Sequence, residues 1–176
     1  PLLKPKKVFL GKGINRSERF NLDISEDLKY IAAVVEPKPG DEGTLYADYI
    51  NKDAAMKAKK ARPRVAYSSD TARLAMVTRK EGDVTWVDLS DLPHIKTDRL
   101  SAIKDALSEE DKKLLPKAKD EDAARPVEIT SAGFRGNHFL FTVRTRDFKD
   151  VWMVLLDMNT MEKTVVYHHY DPAWVF

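Results

Sequence analysis

Four histidines, His94, His138, His168 and His169, are the first residues to weigh for acid–base or metal chemistry. His168 and His169 are adjacent, so in a strand they point to opposite faces and cannot readily share an ion. A metal site needs several converging ligands held by further hydrogen bonds, and the spacing of these residues offers none. The expectation is no metal and no cofactor. His138 opens a strand-like stretch and reads as a polar strand-end residue. Asp147 and Asp150 flank a short turn in RTRDFKDVW. Paired carboxylates can serve as acid and base, but aspartates at a hairpin ordinarily shape the turn, and that is the preferred reading. Ser101 and Ser131 lie in no Gly-x-Ser-x-Gly context, so neither is a candidate nucleophile. Cysteine is absent, which removes disulfides and thiolate metal sites. No catalytic residue is assigned.

Binding candidates are few. Asp171 and Trp174, in the segment DPAW, are the two residues singled out for contact with a substrate or partner. A large aromatic there either packs on a neighbouring unit or faces a ligand, and packing is the preferred alternative. The basic run Lys57, Lys59, Lys60, Arg62 and Arg64 could meet phosphates, yet it reads more simply as a solvated connection. The chain has 30 basic and 28 acidic residues among 176, a net charge of +2. That balance lacks the basic excess of a nucleic-acid binder. No apolar run reaches the roughly 18 residues of a membrane span. The first residues, PLLKPKKVFLGKG, lack a signal-peptide core. The compartment stays open between cytoplasm and periplasm. A first residue of Pro suggests a processed product or part of a longer one.

The elements that must position these residues are strands. Val127–Tyr170 reads VEITSAGF, HFLFTVRT, VWMVLLDM and KTVVYHHY, four β-rich segments separated by turn-like residues. Their spacing predicts a four-stranded antiparallel meander. Phe139, Phe141 and Val143 should share a face, and Val151–Leu156, apolar throughout, should be covered on both faces. Upstream, residues 1–19 read as an N-terminal arm with a short strand at Lys7–Leu10. Phe20, Leu22 and Ile24 alternate as in a half-buried strand. Tyr30–Val35 should be a buried strand, Thr44–Ile50 a third strand, and Asn51–Arg64 a short helix. Glu26–Ala32 and Ser69–Ala75 align at an offset of 43 residues, within the roughly 40–45 residues of a propeller blade. Gly82 marks a hairpin before Val84, Trp86 and Val87, and Asp88–Ser90 leads into a turn. Gly133–Leu140 follows Ser68–Ala75 by 65 residues, an excess of 22 over that repeat. That excess is close to the size of a helical insertion expected at 97–122. Leu100, Ile103, Ala106 and Leu107 recur at helical spacing there, and Ser108 with Asp111 resembles a capping box opening a helix through Leu115.

The resulting expectation is a mainly β chain of about three four-stranded antiparallel propeller blades, an incomplete propeller. The blades would span 20–60, 64–96 and 126–170, within a unit of 20–176. Ile31, Leu74 and Phe139 would occupy matching strands of successive sheets. Trp86 and Trp152 would sit on equivalent third strands and pack between blades. Propellers close with about 4–8 blades. The rest of the same polypeptide, or another chain, is therefore expected to complete the ring.

The segments SEDLKYIA, SSDTARLA and GFRGNHFLF resemble the Ser-Pro-Asp-Gly-Lys-x-hydrophobic-Ala signature of TolB-like propellers. VWMVLLDMNTMEKTVVYHHYDPAWV is similar to the blade ending of the N-terminal propellers of the prolyl oligopeptidase family of serine peptidases. The resemblance spans about 20–176 and is sharpest over 131–175. It implies a Ser-Asp-His triad on a separate hydrolase domain absent from these residues. It also implies a propeller that gates access and contacts peptide substrates. The alternative is a non-catalytic TolB-like propeller that scaffolds protein–protein contacts. The sequence departs from the signature at Glu26 and Ser69 in place of Pro, and at Leu28 and Thr71 in place of Gly. Met161 likewise replaces Gly. Side chains there disfavour positive φ, so these turns are expected to adopt another conformation.

Overall fold

A computed structural model describes residues 8–12, 14–16, 22–37, 45–48, 56–60, 71–99, 101–114 and 123–175. The second half follows the expected meander. β8 (Val127–Arg135), β9 (His138–Thr145), β10 (Asp150–Asp157) and β11 (Lys163–Tyr170) form one antiparallel sheet in sequential order. Gly136 turns between β8 and β9 at a φ of 57°, a conformation that costs glycine little. β10 alternates strictly. Trp152, Val154 and Leu156 are buried, whereas Val151 and Leu155 are half-buried and Met153 is 37% exposed. The expectation of two covered faces therefore fails for β10: neighbours cover one face fully and the other partly. Phe139, Phe141 and Val143 do share the buried face.

The first half differs more. β1 (Ile14–Arg16), β3 (Tyr30–Pro37), β6 (Arg73–Thr78) and β7 (Val84–Val87) form a second sheet, with β2 (Asp23–Ile24) on the same edge of β3 as β1. Ile31 pairs with Val77 and Val34 with Leu74. Among the described residues, β3 from the segment expected as the blade 20–60 and β6–β7 from the segment expected as 64–96 thus share one sheet. Ile31 and Leu74 lie on neighbouring strands, not on matching strands of different sheets. The offset of 43 residues compares adjacent strands of similar burial, and alternation alone cannot tell those from equivalent strands in a repeat.

β4 (Leu45–Asp48) and β5 (Lys57–Lys60) form a separate two-stranded ribbon inserted between β3 and β6. A strand therefore replaces the helix expected at 51–64, whose flanking residues 51–55 and 61–64 lie outside the described residues. Helix propensities of Ala and Lys amount to tenths of a kcal/mol each, so strand pairing overrides them. The strand expected at 44–50 forms over 45–48, in this ribbon and not as a third strand of a blade. Val8–Leu10 is not a strand, and the N-terminal arm instead supplies β1. Leu22 and Ile24 are 53% and 50% exposed, so this stretch is not half-buried as expected. Phe20 lies outside the described residues.

Two short helices, α1 (Ser101–Asp105) and α2 (Glu109–Leu114), occupy the expected insertion. The Asp111 N–H donates to Ser108 Oγ at 3.1 Å and Ser108 Oγ donates to Asp111 Oδ2 at 2.6 Å, a capping arrangement. Leu115 and Pro116 lie outside the described residues. No helix among the described residues is long and apolar enough to cross a membrane.

One core joins the two sheets. Ala32, Val34, Leu74 and Met76 of the first meet Phe134, Phe139, Phe141, Trp152, Val154 and Leu156 of the second, and Leu89, Leu92 and Ile95 of the connection close its side. The Ala72 N–H donates to Val127 O at 2.8 Å, and the Phe134 N–H donates to Asp23 Oδ2 at 3.0 Å. Trp86 is on the edge strand β7 and Trp152 on the inner strand β10, so the two are not equivalent.

Candidate functional site

The most heavily bonded polar cluster lies where the 88–99 connection meets the second sheet. Alternation puts Val143, Thr145, Asp150 and Trp152 on the core side of the β9–β10 hairpin. Asp150 is fully buried, and a lone buried carboxylate would be prohibitively costly. Arg99 offsets that cost by donating from Nε (3.1 Å) and Nη2 (3.0 Å). Arg125 Nη2 adds a bond at 2.6 Å, and His168 Nε2 lies 2.8 Å from Oδ1. Burial pushes the Asp150 carboxyl up, but hydrogen bonds from Arg99, Arg125 and His168 outweigh it and hold it below its ordinary value. An ionised Asp150 only accepts, so the His168 Nε2 carries the hydrogen.

Rings and carbonyls complete the cluster. His168 stacks on Trp152 at 5.2 Å between centroids and on His94 at 5.7 Å. Trp152 Nε1 donates to Pro93 O at 3.1 Å. Arg125 also reaches Asp147, His94 O and Ile95 O, and Arg99 lies over the Tyr170 ring. This saturated network pins the connection to the sheet. On the opposite face, Glu128 is buried against Arg144 and Arg146.

The sequence candidates fall as follows. Asp147 shapes its turn, accepting the Lys149 N–H at 3.2 Å, as expected. Asp150 does not; it is a buried anchor. The signal was available in the alternation, which puts a charged residue in register with core side chains. His169 faces away from His168 and stacks with Tyr167. His138 pairs with Asp157 across the strand start, at 3.7 Å. Ser131 Oγ bonds Thr142 Oγ1 at 3.0 Å. No group of acidic, His or Cys residues among the described residues is arranged to hold a metal.

Asp171 and Trp174 meet in one turn. Asp171 Oδ1 accepts from the N–H groups of Ala173 (2.6 Å) and Trp174 (3.1 Å). Lys149 Nζ donates to Pro172 O and Ala173 O, each at 2.5 Å, and the Val175 N–H donates to Phe148 O. Val175 is buried, yet Trp174 is 65% exposed. The turn is thus tied down on both sides while its indole faces water. Packing of Trp174 does not occur within the described residues.

The turns at the departures from the propeller signature are informative. Leu28 and Met161 have φ of 58° and 60°, so both adopt the left-handed conformation that glycine would, contrary to expectation. Asp27 Oδ1 accepts from Ser25 Oγ and the Lys29 N–H, and Asp157 Oδ1 accepts from the N–H groups of Asn159 and Thr160. These bonds hold residues that cost about 1–2 kcal/mol in that region.

No family model matches the sequence, and no curated protein does. Solved structures do resemble the fold. A protein assigned as a dipeptidyl aminopeptidase IV from Bacteroides ovatus matches 96% of this chain with a TM-score of 0.56 and 11% identity. Porphyromonas gingivalis dipeptidyl peptidase 4 matches 87% with a TM-score of 0.52 and 12% identity. The chain spans only 21% and 18% of those chains. Its two antiparallel sheets and their shared core therefore have the fold of a portion of dipeptidyl peptidase IV proteins.

Proposed function

We propose that the chain is the propeller portion of a prolyl oligopeptidase-like serine peptidase, related to dipeptidyl peptidase IV. Its catalytic hydrolase domain would lie elsewhere in the protein. One observation carries this reading: nearly the whole chain superposes on dipeptidyl peptidase IV structures. The left-handed Leu28 and Met161, at the glycine positions of the propeller signature, support the propeller part of this reading but do not separate it from a TolB-like scaffold. In this reading the sheets limit access to a distant triad and contact peptide substrates. Asp171 and Trp174 serve as a contact point, their tethered turn offering a preorganised aromatic anchor to the rest of the polypeptide or to another chain.

Two measurements test the proposal. The reading frame that contains these residues should encode a Gly-x-Ser-x-Gly elbow. Its full product should cleave dipeptidyl chromogenic substrates and react with a fluorophosphonate, whereas the 176-residue chain alone should do neither. A complete product with further sheets and no elbow would sink the peptidase reading. It would favour a non-catalytic TolB-like scaffold instead, a second reading supported by the exposed Tyr167, Tyr170 and Trp174.

A further inference from the structure

A cleft of roughly 330 Å³ opens where the ends of the β6–β7 pair approach the start of β8. That volume is at the small end of ligand sites. Trp86, Val87, Leu89, Ala124 and Val127 supply an apolar wall. Alternation puts Arg73 and Trp86 on one face of the first sheet, and the Arg73 guanidinium carbon sits 3.8 Å from the Trp86 ring centroid. Stacking uses the flat face of a guanidinium. Its N–H groups radiate in the plane and stay available for a planar, two-pronged acceptor.

The other arginine on the cleft wall is committed. Arg125, also on the cleft wall, is held by Asp147, Asp150 and two carbonyls. Arg73 has no carboxylate partner among the described residues, and the indole fixes its position at the cleft. Asp88 stands on the rim, its Oδ1 occupied by the Ser90 N–H.

We propose that this cleft is a binding site for an apolar carboxylate, with the carboxylate on Arg73 and the apolar group against Trp86. The ligand chemistry fits a free organic acid or the C-terminus of a peptide. The proposal does not rest on the peptidase reading, because binding is measured on this chain without any activity. The test is an NMR titration of the 176-residue chain, following the Trp86 indole N–H. The probes are N-acetylphenylalanine, its amide, and acetyl-Ala-Ala-Phe with a free C-terminus.

Both acids should give saturable shifts, with the amide about tenfold weaker. Arg73→Gln should weaken the acids about tenfold, and Arg73→Lys should weaken them less, since it keeps the charge but loses the fork. Tighter binding of the tripeptide would identify a peptide terminus, and equal binding a free acid; either supports the site. Equal binding of acid and amide, an unaffected Arg73→Gln, or no saturation by about 20 mM would overturn it. If Arg73→Gln does not fold, as judged by near-ultraviolet circular dichroism, the Arg73→Lys comparison decides.

Discussion

Asp150→Asn is the most informative stability test of the polar network. The substitution preserves shape and removes the only charge facing both Arg99 and Arg125 from that position. Asp150 has no exposed surface, and the two arginine side chains are only 16% and 14% exposed. Removing one partner of a buried ion pair costs about 3–5 kcal/mol, because the remaining charge stays desolvated. Two features reduce this. Arg125 keeps Asp147 and two carbonyls, and Arg99 keeps the Tyr170 ring. The expected loss is therefore about 3 kcal/mol, near the lower end of that range. For a chain of this size it corresponds to a fall in Tm of about 6–12 °C. Asp147→Asn is the internal control. Asp147 is 24% exposed and meets only one of the arginines, so about 1 kcal/mol is expected. Urea unfolding followed by tryptophan fluorescence measures both. A loss below about 1 kcal/mol for Asp150→Asn, or one no larger than for Asp147→Asn, would refute the claim that the network anchors the connection.

Three further outcomes are expected. Leu28→Gly should raise stability by up to about 1 kcal/mol, since Leu28 is exposed and glycine relieves its positive φ; Met161→Gly should lower it, because Met161 packs on the core. Thermal melts of the two variants check this contrast. Asp150 and Asp88 are held below the ordinary carboxylate value of 3.8, as is Asp157, bonded by the Asn159 and Thr160 N–H groups. Asp27, bonded by Lys29 and Ser25, is lowered to about 2. A folded-state value below the unfolded one adds stability above the unfolded value and loses it as pH falls through the folded value. Urea midpoints should thus be flat above about pH 5 and fall between about pH 4 and 2, less steeply in Asp150→Asn. Lys149→Met removes both side-chain bonds from Lys149 to the 171–175 turn, so the Val175 N–H should exchange with deuterium at least about tenfold faster.

Some of this architecture was legible in the residues themselves. The β8–β11 meander announced itself because turn residues cut its strands at short intervals, and sequential hairpins need only local contacts. The Ser108–Asp111 cap was legible for the same reason. The Asp150 network was not, because Arg99 and Arg125 come from outside the hairpin they serve, 51 and 25 residues away. Nothing in RTRDFKDVW names its distant partners.

Sequence by itself determined the strand-rich character, the insertion with its two helices, and the absence of a nucleophile elbow in these residues. Tertiary structure decided which strands are neighbours. Alternation records how a strand is buried but not what it pairs with, so β3 and β6 looked like copies until their hydrogen bonds joined them in one sheet. Only that pairing sets the end of β6–β7 against β8 and brings Arg73, Trp86 and Val127 to one cleft.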